Sequence, residues 1–326
     1  MMRKSKIAVI GVGYLGKFHV EKFAKHENVE LVGVVDIDKN NADNIAKKFN
    51  TAAYTDYKEL LGKVNAASIV VPTNMHYQVA KDFLEYGADV LIEKPMTTTI
   101  EEADELIEIA NKRNLIIQVG HLERFNPALV TLKDIIDKPM FIESHRISTY
   151  KGRGIDVSVV LDLMIHDIDL IQSFVRSKIK SIHAAGVPVI CSDVDIANAR
   201  IEFDTGCIAN VTASRISMKD ERKIRIFQKD TYVSVDFVKK EITYVRKDDT
   251  KESINELIPG MDIKKIQLEP GDALNAEIQS FINTIQNRLK PEVSGQEGRD
   301  ALKTALDIIQ QMKTRLNQEW KKNINQ

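Results

Sequence analysis

Lys6-Ile7-Ala8-Val9-Ile10-Gly11-Val12-Gly13-Tyr14-Leu15-Gly16 decides the fold of the first part of this chain. A short apolar strand runs into G-x-G-x-x-G, and a helical stretch follows to about Lys25. In that setting the first glycine permits a tight turn and the second lets backbone approach a pyrophosphate. The third allows the helix to pack on the strand, and the helix start supplies N–H donors and a positive dipole. Glycine turns are common, so the motif needs its surroundings. A second strand, Val29 to Val35, ends in Asp36, 20 residues past Gly16. A carboxylate there would accept hydrogen bonds from an adenosine ribose; the plainer alternative is that Asp36 caps a helix starting near Lys39. Ile37 and Asp38 follow, with no arginine to hold a 2′-phosphate, so NAD is favoured over NADP. Gly11, Gly13, Tyr14, Leu15, Gly16 and Asp36 are the expected cofactor contacts.

Working outward, strands and helices keep alternating. Ala66 to Val71 is a buried strand, broken by Pro72-Thr73-Asn74-Met75-His76 and followed by a helix to about Tyr86. Ala88 to Ile92, a helix over about 100–112, and Leu115 to Val119 complete the run. Such alternation predicts a doubly wound parallel sheet. Loops after its strands converge on one edge, so Pro72, Thr73, Asn74, His76, Glu93, Lys94 and His121 should face the cofactor. His76 reads equally well as an ordinary residue of a helical first turn. Val90-Leu91-Ile92-Glu93-Lys94-Pro95 delivers a carboxylate, an ammonium and a proline from a buried strand. A lysine against low-dielectric walls can serve in proton transfer; a solvated pair closing the strand is the simpler alternative.

The totals narrow the classes. At 326 residues the chain is long for one core, which predicts two domains, here 1–120 and 121–326. A formal net charge of −1 argues against nucleic-acid binding through broad phosphate neutralisation. Cys191 and Cys207 are too few for a disulfide framework and lack metal-ligand spacing. No apolar run approaches the ~20 residues that cross a bilayer, and the first apolar stretch is too short for a signal peptide. A cytoplasmic protein without membrane contact is expected.

Beyond residue 120 the pattern changes. Phe141 to Ser148 alternates like a strand, and a loop with Lys151-Gly152-Arg153-Gly154 follows. Val159 to Ile171 is apolar nearly all round and so reads as a buried helix, yet Asp162, His166 and Asp169 fall at i, i+4 and i+7 on one face. Polar groups on a buried helix need partners. An aspartate orienting a histidine beside a substrate hydroxyl, a metal site, and a purely structural network all remain open. From Ile179 to about Val245 hairpin signals recur, including Thr205-Gly206 between two alternating runs. They predict a large, mostly antiparallel open sheet in an α+β domain. Residues 246–271 read as a polar excursion, and helices are expected over about 272–289 and 296–318.

Taken together, the glycine turn at 11–16, the Glu93-Lys94-Pro95 triplet and Asp162-x-x-x-His166 with Asp169 resemble the Gfo/Idh/MocA family of NAD(P)-dependent sugar oxidoreductases along essentially the whole chain. The resemblance implies a Rossmann domain followed by a substrate domain whose open sheet builds homodimers or homotetramers. It also implies a cis peptide at Lys94-Pro95. By position, His166 is similar to the family's general acid/base, Lys94 to the residue polarising the reacting oxygen, and Asp162 to an orienting partner. Which of Lys94 and His166 takes the proton varies within the family. Val119 to Pro127 and Leu161 to Asp167 most resemble the branch that oxidises the 3-hydroxyl of UDP-N-acetylglucosamine in surface-glycan synthesis, with a partner aminotransferase acting next. Arg124 and Arg153, with Arg146 and Tyr150, are candidate substrate anchors, though each also reads as an ordinary surface side chain. The competing expectations are a dehydrogenase of a free sugar or cyclitol, a dinucleotide-sensing regulator, and a metal-dependent hydrolase.

Overall fold

The computed structural model describes residues 4–132, 135–150, 157–191, 193–247 and 261–324, with side chains to residue 316. The chain divides into two compact units, Met1–Phe125 with Asp272–Leu302 and Asn126–Gly271 with Lys303–Gln326.

The first unit is built on β1 (Ser5–Ile10), α1 (Gly16–Lys25), β2 (Val29–Val35), α2 (Lys39–Phe49), β3 (Ala52–Tyr54), β4 (Ala66–Ile69), α3 (Thr73–Glu85), β5 (Asp89–Glu93), α4 (Ile100–Arg113) and β6 (Ile117–Gly120). Its six strands are parallel, in the order β3-β2-β1-β4-β5-β6. β4 is buried throughout, as is β1 from Ile7 onward and β5 up to Glu93, so these strands read as near-continuous apolar runs rather than alternating ones. Strand order reverses between β1 and β4, and the chain leaving their carboxyl ends opens the crevice where such sheets bind ligands. Three-residue β3 was not expected, being too short to show a period; its Tyr54 ring covers Gly33.

The second unit contains α5 (Pro127–Leu132), β7 (Pro139–Ile147), a π-turn over Val160–Met164 leading into α6 (Ile165–Val175), then β8 (Ile179–Val187), β9 (Ile196–Phe203), β10 (Ile208–Ser214), β11 (Glu221–Gln228), β12 (Thr231–Asp236), β13 (Glu241–Lys247) and β14 (Met261–Gln267). They form one sheet in the order β14-β13-β12-β11-β7-β10-β9-β8, antiparallel everywhere except where β7 meets β10. The expected hairpin at Thr205-Gly206 joins β9 to β10, with Gly206 at φ +83°. On the inner face Ala197, Ala199, Ala209 and Ala213 are buried, and small side chains let a helix lie close; α6 packs on β7 and β10. The outer face carries a half-buried row in which the Phe141 and Phe227 rings lie 5.8 Å apart and those of Phe227 and Tyr232 4.9 Å apart. β14 corrects the reading of 246–271 as an excursion over Met261–Gln267, while residues 248–260 of that stretch lie outside the described residues. β14 is an edge strand with exposed Lys264 and Lys265, and edge charge hides a strand in a polar composition.

The expected division at residue 120 is also corrected. After β14 the chain continues into α7 (Ala273–Asn287) and α8 (Gly295–Ile324). α7 belongs to the first unit because Ile278, Phe281, Ile282 and Ile285 complete the cluster formed by Ile7, Val9, Phe23 and Leu91. Among the described residues, no helix is long and apolar enough to cross a membrane.

Candidate active site

The glycine turn is built as its spacing requires. Gly11 sits at φ +86°, and a Cβ there would lie 2.7 Å from the Val70 carbonyl oxygen. A Cβ on Gly16 would overlap the carbonyl oxygen of Gly11. A Cβ on Gly13 would meet nothing within 4 Å, so the space over the middle glycine is open to a ligand. Tyr14 and Leu15 are exposed beside it, and the Lys17 ammonium lies 5.0 Å from the centre of the Tyr14 ring. Asp36 follows β2, and its carboxylate accepts from the Val12 N–H at 3.1 Å. An open turn, a helix start and a carboxylate at the end of the second strand fit a dinucleotide.

Pro72 caps α3, whose first turn holds Thr73 and Asn74. His76, one turn further, is 1% exposed. Its Nδ1 lies 2.9 Å from the Pro95 carbonyl and its Nε2 2.8 Å from that of Val71. Burial pushes this imidazole's pKa down, against the pull of both carbonyls. His76 therefore ties the segment after β4 to the segment after β5, a use its sequence position did not suggest.

The Lys94-Pro95 peptide is cis. Immediately before it, Glu93 Oε1 lies 3.2 Å from His19 Nε2, and His19 Nδ1 lies 3.0 Å from Ser68 Oγ. Burial by itself would raise the Glu93 carboxyl, but the His19 ring, Lys94 and His76 outweigh it and hold the group below the usual carboxylate range. The carboxyl lies flat against Gly120, where an added Cβ would sit 3.0 Å from Glu93 Cδ. His121 is 1% exposed. Arg124 is buried as well, its Nη1 3.8 Å from Glu297 Oε1.

Behind these groups lies a carboxyl that the sequence reading missed. Glu277 on α7 is 0% exposed, and neither of its carboxyl oxygens has a hydrogen-bond partner. Gln118 on β6 donates to the Glu277 backbone carbonyl at 3.3 Å, while its own Oε1 is buried without a partner. Burial, and then the charge of Glu93, push the Glu277 pKa well above its ordinary value, which favours the protonated form. One signal could have found both this residue and His19. Each interrupts the inward stripe of its helix, His19 beside Val20 and Phe23, Glu277 beside Ile278 and Phe281.

In the second unit, Asp162 lies within the π-turn, where the Ile165 N–H reaches back five residues to the Val160 carbonyl. The step from Asp162 to His166 therefore spans a wider turn than the expected α-helix. Asp162 and His166 are half-buried and Asp169 is 1% exposed. Asp167 fixes the segment to the sheet: its Oδ2 meets Arg146 Nε at 2.6 Å and its Oδ1 accepts from Ser144 Oγ at 2.7 Å. Arg146, considered as a substrate anchor, is 3% exposed and engaged in that pairing. Tyr150 is exposed, and Arg153 lies outside the described residues. Among the described residues no three or more His, Cys, Asp or Glu side chains are grouped to hold a metal ion.

A parallel nucleotide-binding sheet, an open glycine turn and an acid-ended second strand define an NAD-binding oxidoreductase, and comparison with known proteins agrees. Residues 5–121 match the oxidoreductase family with NAD-binding Rossmann fold, and residues 143–232 the GFO/IDH/MocA C-terminal domain. The chain belongs to the Gfo/Idh/MocA family. It is 36% identical over 305 residues, 93% of this chain and 96% of the other, to the UDP-N-acetylglucosamine 3-dehydrogenase of Acidithiobacillus ferrooxidans. A solved structure of that enzyme superposes with a TM-score of 0.91 at 35% identity, covering 96% of this chain and 99% of that one. The scyllo-inositol 2-dehydrogenase (NAD(+)) of Bacillus subtilis is 30% identical over 67% of this chain and 69% of its own.

Proposed function

We infer that this enzyme oxidises the 3-hydroxyl of UDP-N-acetylglucosamine to the ketone, with NAD as cofactor. Similarity over 93% of the chain to a relative of that activity carries the reading. The inositol dehydrogenase supports the rival, a free cyclitol as substrate, over a shorter stretch. Gly11, Gly13, Tyr14, Leu15, Gly16 and Asp36 hold the dinucleotide, with Pro72, Thr73, Asn74, Glu93 and His121 along the same strand ends. When bound, NAD supplies the hydride acceptor. His166 takes the hydroxyl proton at Nε2, because its Nδ1 is buried. Lys94 donates to the same oxygen through Nζ and stabilises the charge that develops there. Asp162 orients the pair, and Arg124 and Arg153 anchor the anionic part of the substrate.

A positioned base contributes about 10²–10⁴-fold. His166→Ala and Lys94→Ala should each lose turnover on that scale while NADH binding, followed by fluorescence, stays intact. Wild-type rates in either variant would remove that residue from the chemistry. The substrate is tested by NADH formation on a panel of UDP-N-acetylglucosamine, free N-acetylglucosamine and inositols. A coupled aminotransferase draws off the ketone, and the chemistry of a 3-keto sugar makes such an enzyme the natural next step. Turnover of inositols alone would replace the sugar nucleotide with a cyclitol. The half-buried outer row of Phe141, Phe227 and Tyr232 supports a homodimer or homotetramer, to be measured by sedimentation.

A further inference from the structure

The Asp36 carboxylate has little freedom. Its Oδ2 accepts from the Val12 N–H at 3.1 Å and from Asn41 Nδ2 at 2.8 Å, and its Oδ1 accepts from the Asp38 N–H at 3.0 Å. Asn41, the third residue of α2, uses the same amide nitrogen to donate to the Val12 carbonyl at 3.1 Å. One amide group thus closes a ring through both polar groups of Val12 and the acid at the end of β2. Turning that amide over would set its oxygen against two acceptors, so the nitrogen's position is fixed by chemistry. A carboxylate offers about four acceptor positions. Three are filled by the protein, and the one remaining is on Oδ1. Lys39, a neighbouring cation on α2, is paired with Asp43 at 2.7 Å.

We propose that Asn41 is a specificity-determining positioning residue: its amide pins Asp36 so that Oδ1 is offered to a ribose hydroxyl and the carboxylate cannot turn aside for a 2′-phosphate. The pin acts in both directions. It holds the acceptor that a free 2′-hydroxyl uses, and it keeps a fixed negative charge where a phosphate would sit. Without it, Asp36 can swing about its side-chain torsions, which weakens the first effect and relaxes the second. The proposal rests on the reading of Asp36 as the ribose acceptor.

The test compares Asn41→Leu, which keeps the branched skeleton, and Asn41→Ala with the parent. Kd values for NADH and NADPH are measured by nicotinamide fluorescence on the full chain, and thermal unfolding of the ligand-free protein is followed in parallel. NADH binding should weaken about tenfold, the size of one lost hydrogen bond to a charged group, while NADPH binding is unchanged or tighter. The NADH/NADPH preference then falls about tenfold or more. Equal weakening of both dinucleotides would mark Asn41 as merely structural and overturn the proposal, as would Kd values within twofold of the parent. Should the parent bind neither dinucleotide, the reading of Asp36 falls and the role of Asn41 with it.

Discussion

Glu277 in the first unit and Asp195 in the second are both carboxyls with 0% exposure, and their pKa values are pushed in opposite directions. Asp195 Oδ2 accepts from the backbone N–H groups of Val189, Ile190 and Cys191 at 2.8, 2.6 and 2.9 Å. Burial opposes its ionisation, but the Cys191 thiol and these N–H groups hold it well below the usual range. Glu277 has no donor on either oxygen, faces the charge of Glu93, and its pKa is raised by burial and by that charge. Burial does not decide charge; the supply of donors does. Asp167 extends the contrast, since its donors come from Arg146 and Ser144.

The contrast can be broken most forcefully at Asp167. Arg146→Met leaves that carboxylate buried without its cation and should cost about 3–5 kcal/mol in urea unfolding; a loss below about 1 kcal/mol would show that Ser144 suffices. Next is Asp195→Ala, which removes the acceptor of three part-buried N–H groups and should cost about 3 kcal/mol. Asp195 titrates below its unfolded value, so its contribution is present above about pH 4 and lost on acidification. The parent should therefore lose more stability than Asp195→Ala between pH 5 and pH 2, and parallel curves would reject the assignment. The smallest effect has the reverse sign. Glu277 is raised, so its own contribution is fully present below about pH 4.5 and is lost as pH climbs and the unfolded chain ionises first. Glu277→Gln, an uncharged isostere, should raise the Tm by about 2–4 °C at neutral pH, an effect near 1 kcal/mol. The gain should vanish near pH 4; a variant less stable than the parent at pH 8 would mean that Glu277 is ionised and needed as such.

What the sequence revealed divides along the same line. The glycine turn, Asp36 and the alternation of strand and helix are local patterns, legible because neighbours in sequence impose them. The order of the eight-stranded sheet, the place of α7 and the pairing of Arg146 with Asp167 depend on residues far apart in the chain. Arg146 looks like a surface arginine because β7 alternates, and nothing local says which face is inward. The π-turn is hidden too, since Val160 to Met164 would serve equally well in an α-helix. Of the candidate site, the residue types were legible and their supports were not: His19, Ser68 and Asn41 act through partners on other elements, and Glu277 is buried on a helix from the far end of the chain.

The return of α7 to the first unit has a consequence during synthesis. A nascent chain that has emerged through β6 holds every strand of the nucleotide-binding sheet but lacks Ile278, Phe281, Ile282 and Ile285, which close over Phe23 and Leu91. The groove they fill stays open while the ribosome makes the whole of the second sheet. The amino-terminal unit is thus first to be translated yet cannot finish folding until α7 has left the exit tunnel.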